Sequence, residues 1–275
     1  MVVFPNCKIN LGLHITSKRT DGFHNLETIF FPVAIHDCLE IIYANKTEST
    51  HFSQTGLNID TTSDNNLCVK AYHLLKKDFP LLPSIQIHLH KTIPMGAGLG
   101  GGSADGAFAL KLMNDQFHLH LSDDELIHYA LQLGSDCPFF IINKPCFASS
   151  RGEILTPITL TGLTAYQLLI VNPGIHISTA WAFANIKPKQ PLQSLKEVIQ
   201  QPVDTWKQLL FNDFEVPVLQ QFPELKQLKE VLYQSGAAYV SMSGSGSTFF
   251  AFFKNNIPEN LSLPAHYFIK MVTPL

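Results

Sequence analysis

A glycine-rich stretch at residues 94–103 constrains the fold of this 275-residue chain more than any other feature. Residues 85–90 before it alternate between apolar and polar, which predicts a half-buried strand, and residues 104–117 after it have the apolar spacing of a helix. Glycine lets a backbone approach a ligand without a Cβ, and a helix N-terminus offers N–H groups and a positive dipole end to an anion. The stretch therefore predicts a phosphate cradle; it reads Pro94-Met95-Gly96-Ala97-Gly98-Leu99-Gly100-Gly101-Gly102-Ser103.

Two common nucleotide-binding motifs do not explain this stretch. Residues 96–101 match G-x-G-x-x-G, the fingerprint of dinucleotide-binding Rossmann units. The strand before them places His88 and His90 opposite apolar residues, whereas Rossmann strands are apolar on both faces. The Walker A pattern GxxxxGK[ST] does not occur in the sequence. A nucleotide phosphate site of another kind is therefore expected.

The composition argues against several classes of partner. Charged residues make up 15% of the chain and the net charge is −3, so we expect neither a nucleic acid nor a membrane as partner. The first residues lack the pattern of a signal peptide, and no apolar run approaches the roughly 18 residues that span a bilayer, which predicts a cytoplasmic protein. The five cysteines include no C-x-x-C pair, so we expect buried thiols rather than disulfides or a zinc site.

Hydrophobic periodicity predicts an α+β fold. Ser122 and Glu125 form a capping-box pattern at the start of one helix. A polar, threonine-rich stretch at residues 156–165 is the candidate domain boundary. Helices are predicted at residues 65–79, 104–117, 123–133, 180–185, 194–201 and 216–234, and strands at 26–33, 37–43, 85–90, 139–142, 167–171 and on both sides of a turn at 243–247.

The glycine-rich stretch, followed by Ala104, resembles the signature P-x-x-x-G-L-G-S/G-S-S/A of the GHMP kinases. Further segments resemble the branch of that family that phosphorylates a cytidine diphosphate derivative in isoprenoid biosynthesis. The resemblance implies a two-lobed α+β fold with its active site in the cleft between an N-terminal GHMP kinase ATP-binding domain, residues 1–155, and a C-terminal domain, residues 156–275. The further segments are Lys8-Ile9-Asn10-Leu11, Asp21-Gly22-Phe23-His24, Leu133-Gly134-Ser135-Asp136-Cys137-Pro138-Phe139-Phe140, Phe211-Asn212-Asp213-Phe214-Glu215 and Met242-Ser243-Gly244-Ser245-Gly246.

The same resemblance implies ATP-dependent phosphorylation of an alcohol, with ATP and Mg²⁺ as cofactors. It makes Asp136 the general base and pairs it with Lys8, whose ammonium would stabilise the developing charge. Ser103 is a candidate contact for Mg²⁺, but the sequence specifies no protein ligand of the metal. The residues assigned to ATP are Asn65, Pro94, Met95, Gly96, Ala97, Gly98, Leu99, Gly100, Gly101, Gly102 and Ser103.

The implied second substrate is a small molecule that carries cytidine diphosphate. We expect its pyrimidine to stack between Phe23 and Phe183, which would bridge the cleft, and His24 to read the edge of the base. The enzyme is expected to be a monomer or a weak homodimer. The full set of implied substrate contacts is Asn10, Phe23, His24, Thr179, Phe183, Ser243 and Gly244.

Two departures from the family pattern and two other functions have to be considered. The family usually has tyrosine where Phe23 stands, and an acidic residue before glycine where Ser149 and its neighbours stand. Another kinase of the family, of the mevalonate type, is disfavoured by residues 21–24 and by Phe183. A non-catalytic sugar or nucleotide sensor on the same fold would need neither Lys8 nor Asp136, and both are present.

Overall fold

The computed structural model describes residues 1–44, 49–58, 63–259 and 261–272. It contains helices and sheets in mixed order, in agreement with the predicted α+β class. The strands are β1 (Val2–Val3), β2 (Asn6–Lys18), β3 (His24–His36), β4 (Cys38–Tyr43), β5 (His51–Gly56), β6 (Ile85–Lys91), β7 (Cys146–Ser150), β8 (Ile154–Pro157), β9 (Gln167–Asn172), β10 (Tyr239–Met242), β11 (Phe249–Phe253) and β12 (Phe268–Val272). The helices are α1 (Leu67–Asp78), α2 (Gly101–Gln116), α3 (Asp123–Leu133), α4 (Cys137–Ile142), α5 (Thr179–Ala184), α6 (Leu195–Val198), α7 (Trp206–Leu209), α8 (Glu215–Gln221) and α9 (Pro223–Gln234).

The described strands form three four-stranded sheets, with the orders β1-β4-β6-β5, β2-β3-β7-β8 and β10-β11-β9-β12. In the first sheet β4 is antiparallel to β6, and β5 is parallel to it. In the third sheet both neighbours of β9 are antiparallel to it. No helix in the described parts of the chain is long and apolar enough to cross a bilayer.

The chain folds into two compact units, each assembled from separate stretches. The first consists of Met1–Cys7, Ile35–Met95 and Gly100–Asn143, and the second of Lys8–Ala34, Gly96–Leu99 and Lys144–Leu275. This division differs from the single boundary predicted after residue 155, which falls inside β8. The reason is that β7 and β8 pair with each other, and β7 pairs with β3 from the start of the chain. The assignment of residues 1–155 and 156–275 to two family domains stays a prediction.

In the first unit, β6 is a half-buried strand, as the alternation of apolar and polar residues at 85–90 predicts. Ile85, Ile87 and Leu89 of β6 are buried, and His88 and His90 are not. The buried residues belong to a core that includes the inner faces of α1 and α2. The capping box of α3 is present, since the Ser122 hydroxyl accepts from the Glu125 N–H and the Glu125 carboxylate accepts from the Ser122 N–H.

The second unit has its own apolar core. Leu13 and Ile15 of β2 pack there with Leu169 and Val171 of β9 and with the inner faces of α8 and α9. Backbone hydrogen bonds reinforce this packing, because the Leu13 N–H donates to Phe211 O and Leu13 O accepts from the Asp213 N–H, at 2.9 and 2.8 Å. The N-terminal strand β2 is therefore an integral part of a unit otherwise built mostly from the C-terminal half.

Several sequence predictions of elements were wrong or incomplete. Residues 139–142 were expected to form a strand but belong to α4, since Pro138 suits a first helical turn and an apolar run of four residues fits either structure. The helix expected at 216–234 is two helices, α8 and α9, which meet at Phe222 and Pro223. Helix α2 begins at Gly101 rather than Ala104. The elements β5, β7, β8, α7 and β12 were not predicted.

Candidate active site

The glycine-rich stretch leads directly into α2. Gly96, Gly98 and Gly100 have φ angles of +62°, +79° and +69°, in the left-handed region that favours glycine. Gly100 is the N-cap of α2 and has no side chain to bond the amides of the first turn. Gly101, Gly102 and Ser103 therefore form the first turn of the helix, and the start of α2 carries no side-chain cap.

Three glycines of the stretch differ in the space around them. A Cβ on Gly98 would lie 2.0 Å from Ser243 O, so the protein's own backbone requires glycine there. A Cβ on Gly101 would lie 2.9 Å from Ile93 Cγ2. A Cβ on Gly102 would lie 3.6 Å from Met95 Cε, an ordinary contact, so packing among the described residues does not require glycine there. Binding of phosphate at Gly102 stays a prediction.

Lys8 is buried in the second unit within a cluster of predicted site residues. Its Nζ donates to Asn10 Oδ1 at 2.7 Å, lies 3.5 Å from Gly98 O and is 4.9 Å from the centre of the Phe30 ring. The Ser243 hydroxyl donates to Gly98 O at 2.7 Å. The structure thus brings Lys8, Asn10, Gly98 and Ser243 together and fixes the direction of the ammonium.

Asn10 and Ser243, predicted as substrate contacts, are engaged by the protein itself. Asn10 is 2% exposed, its Nδ2 donates to Thr28 Oγ1 at 2.9 Å, and its backbone N–H donates to Ser243 Oγ at 3.2 Å. Ser243 is fully buried. In this structure they orient Lys8 and the glycine-rich stretch, and direct contact with a substrate stays a prediction. Gly244 follows Ser243, and a Cβ there would lie 3.2 Å from Gly98 Cα.

Asp136 lies in the first unit as the N-cap of α4. Burial raises the pKa of the neighbouring Cys137 thiol to about 12, although a hydrogen bond with Ser103 opposes the shift. That hydrogen bond places Ser103 of α2 beside the residue that follows Asp136. Asn65, expected near adenine, ends a short 3-10 turn before α1, and the adjacent Asn66 caps that helix. Because Lys8 belongs to the second unit, its pairing with Asp136 stays a prediction.

The aromatic residues predicted to hold a pyrimidine all lie in the second unit. The expectation that Phe23 and Phe183 come from different units is therefore not met. His24 stacks on Phe183, with ring centres 4.9 Å apart and an angle of 22° between the planes. Burial, with a smaller contribution from Lys18, lowers the pKa of His24. Phe23 is 53% exposed, in keeping with a loop position. Thr179 shares a hydrogen bond of 3.2 Å with Ser245 in the small-residue turn after β10.

An acidic residue that sequence reasoning missed lies close to Phe23. The Glu153 carboxylate accepts from the Arg151 N–H at 2.7 Å and from the Ser150 hydroxyl at 3.1 Å. Burial alone would raise the pKa of Glu153, but these hydrogen bonds hold it below its usual value. The Arg151 guanidinium lies 5.0 Å from the centre of the Phe23 ring. A carboxylate is thus present near Ser149, where the family usually has an acidic residue, but Glu153 supplies it from four positions later in the chain.

Two further residues that sequence reasoning left without a role hold the small-residue turn after β10. Asn212 Nδ2 donates to Met242 O at 2.7 Å and to Gly244 O at 2.8 Å. Glu215 accepts from the Ser241 hydroxyl and the Met242 N–H, at 2.8 and 2.7 Å, and pairs with Lys229. The burial of both side chains is a three-dimensional signal that the sequence does not contain.

Comparison with known proteins identifies the family of this chain. Residues 66–144 match the GHMP kinases N terminal domain, and residues 194–261 match the GHMP kinases C terminal domain. The 4-diphosphocytidyl-2-C-methyl-D-erythritol kinase of Bacteroides thetaiotaomicron is 53% identical over 264 residues, which cover 94% of this chain and 95% of that protein. The chain belongs to the GHMP kinases.

Other members of the family support this assignment. The Bacteroides fragilis protein of the same name is 52% identical over 254 residues, which are 92% of each chain. A crystal structure of 4-(cytidine 5'-diphospho)-2C-methyl-D-erythritol kinase has a TM-score of 0.78 and 30% identity, and the match covers 91% of this GHMP kinase and 89% of that one. The mevalonate kinase of Methanococcus jannaschii, with a TM-score of 0.70, 15% identity and coverage of 100% and 98%, shares the fold.

Proposed function

We propose that this GHMP kinase transfers the γ-phosphoryl group of ATP to the 2-hydroxyl of 4-diphosphocytidyl-2-C-methyl-D-erythritol, a step of the non-mevalonate isoprenoid pathway. The buried, oriented ammonium of Lys8 beside the glycine-rich stretch is the structural observation that carries the proposal. The names of relatives that share about half of its residues support the choice of substrate.

In the proposed mechanism the first turn of α2 and the glycine-rich stretch bind the ATP phosphates through backbone N–H groups. Asp136 accepts the proton of the attacking hydroxyl, and Lys8 stabilises the negative charge that develops on the transferred group. Asn10 and Ser243 hold Lys8 and Gly98 in place, so that little reorganisation is needed during the reaction.

Mg²⁺ fits this site as a partner of the nucleotide. The described residues include no cluster of three or more histidine, cysteine, aspartate or glutamate side chains that could hold a metal. We propose that Mg²⁺ would be held together with the nucleotide, with the Ser103 hydroxyl as a candidate protein contact, and would supply charge neutralisation for the phosphates.

The pyrimidine end of the substrate is proposed to bind at Phe23, His24 and Phe183. Stacking on an aromatic ring contributes about 1 to 3 kcal/mol for a base. A neutral His24 presents one donor and one acceptor to the edge of cytosine. We further propose a cytoplasmic enzyme that acts as a monomer or a weak homodimer, without a nucleic-acid or membrane partner, as its small negative charge suggests.

A single-turnover assay with radiolabelled ATP, Mg²⁺ and a panel of acceptors tests this function. We expect phosphorylation of 4-diphosphocytidyl-2-C-methyl-D-erythritol and much slower reaction with its uridine analogue, with 2-C-methylerythritol 4-phosphate and with mevalonate. Faster turnover of mevalonate would assign the chain to another branch of the family. If the chain binds the cytidine compound but transfers no phosphate to any acceptor, it is a ligand sensor.

A further inference from the structure

Three buried charged side chains form a cluster in the first unit that the proposed mechanism does not use. The fully buried Lys91, at the end of β6, donates to Asp37 and also to Asp105 Oδ2, the latter at 2.7 Å. Asp37 lies between β3 and β4, and Asp105 lies in the second turn of α2. The cluster therefore joins a strand end, a strand corner and the beginning of the helix that follows the glycine-rich stretch.

Asp37 also fixes the chain that leads from β6 towards the glycine-rich stretch. Its Oδ1 accepts from the backbone N–H groups of Thr92 and Ile93, at 2.6 and 2.9 Å. Hydrogen bonds to a carboxylate are stronger than those between neutral groups, and burial increases the difference. One carboxylate thus holds both the Lys91 ammonium and the two residues that precede Pro94.

The ammonium of Lys91 lies directly behind the first residue of α2. A Cβ on Gly101 would be 3.3 Å from Lys91 Nζ. Ile93 Cγ2 lies closer still to that position, at 2.9 Å, so Ile93 and the cluster together leave little room for a side chain at Gly101. Gly102 and Ser103 follow in the same helical turn, so the ammonium lies close to the amides that begin the helix. The cluster therefore supports this turn from inside the protein.

The charges in the cluster are not balanced when all three groups are ionised, because two carboxylates share one ammonium. Asp105 Oδ1 is buried and has no hydrogen-bond partner among the residues that the structure describes. Burial raises the pKa of Asp105 to about 7 against the opposing charge of Lys91, and Asp37 adds to the rise. The third titratable neighbour is the buried thiol of Cys68 from α1, whose pKa is raised well above its usual value, chiefly by burial.

We propose that Lys91 is a positioning residue for the nucleotide: with Asp37 and Asp105 it fixes the first turn of α2, whose amides receive the phosphates. This inference rests on the proposed binding of ATP at that turn.

Removal of the Asp105 carboxylate tests the link between the cluster and α2. The Kd of MgATP is measured by calorimetry for the full-length wild type, Asp105→Ala and the control Asp115→Ala, which removes an exposed carboxylate near the end of the same helix. We expect this Kd to rise about three-fold or more for Asp105→Ala, because α2 loses its hydrogen bond to Lys91, and to stay constant for Asp115→Ala. An unchanged Kd for Asp105→Ala would overturn the proposal.

Lys91→Met provides the second test. We expect the Kd of MgATP to rise about ten-fold or more while the Kd of the cytidine substrate stays within about two-fold of the wild type. Equal losses for both ligands would indicate a general structural role and overturn the assignment. If this variant does not fold, Asp105→Ala decides. Wild-type protein that binds no MgATP would overturn the proposed function, whereas wild-type binding with an unchanged Kd for Asp105→Ala overturns only the role of Lys91.

Discussion

Lys8 depends on neighbours that are far from it in the sequence. Its Nζ is oriented by Asn10, and Asn10 is in turn fixed by Ser243, 233 residues later in the chain. A lysine held in this way loses little side-chain entropy when a phosphate arrives, because its conformation is already restricted.

We expect Lys8→Ala and Asp136→Asn each to lower turnover by about 100-fold or more, with both substrates still bound. The double variant should lose less than the product of the single effects if the two groups act together. Single-turnover rates and equilibrium binding measure this, with Lys226→Ala on the exposed side of α9 as the control. Turnover of Asp136→Asn equal to that of the wild type would remove Asp136 as base and leave the kinase function standing.

Phe183→Ala has two expected effects, one on binding and one on the imidazole that Phe183 covers. Loss of the stacking face should raise the KM of the cytidine substrate about ten-fold without changing the affinity for ATP. Because burial lowers the pKa of His24, removal of the ring should move that pKa upward. Enzyme kinetics and a histidine NMR titration measure the two effects, and Phe4→Ala, at an exposed site in the first unit, is the control. An unchanged His24 titration would mean that the stack does not exist in solution.

At the scale of elements, substitutions at two glycines of the glycine-rich stretch distinguish a packing role from a ligand-binding role. Gly98→Ala would force a Cβ against Ser243 O, so we expect a lower Tm and lower turnover together. Gly102→Ala meets no such obstacle in the protein, so it should keep the wild-type Tm and raise the KM of ATP. Differential scanning calorimetry and steady-state kinetics distinguish the two variants. A normal KM for ATP in Gly102→Ala would show that the phosphates do not lie over this turn.

Local chemistry made some elements predictable and left others ambiguous. Ser122 and Glu125 define the start of α3 through contacts three residues apart, which a sequence displays directly. Phe139, Phe140 and Ile141 are all buried in α4, so the apolar run at residues 139–142 shows no helical periodicity and allows a strand as well. The sequence predicts that the glycine-rich stretch binds phosphate, but which of its glycines packing requires depends on Ser243 and Ile93, and only the folded chain shows those contacts.

For the whole molecule, the Asp105 carboxyl group makes the free energy of unfolding decrease as the pH rises, which is opposite to the usual effect of a carboxyl group. Its pKa is about 7 in the folded protein and near 4 in an unfolded chain, so the folded state binds the proton more tightly. The stability it contributes is fully present below about pH 4 and is lost as the pH rises to 7.

We therefore expect the Tm of the wild type to fall relative to that of Asp105→Asn by several degrees between pH 5 and pH 8. Thermal melts in the absence of nucleotide measure this difference. Asp115→Asn should follow the wild type at every pH, since its carboxylate is exposed. A Tm difference between wild type and Asp105→Asn that does not change with pH would contradict the prediction.

The path of the chain through its two units limits how this enzyme can be divided. The backbone passes from one unit to the other five times, at residues 7–8, 34–35, 95–96, 99–100 and 143–144. A fragment that begins at residue 156 lacks Leu13 and Ile15, and with them part of its core and the backbone bonds to Phe211 and Asp213. Such a fragment is an incomplete folding unit, and complementary halves would have to associate while they fold. Recombination between relatives at residue 155 would join β2 of one parent to the core of the other, so an exchange is better tolerated where one parent supplies that whole core.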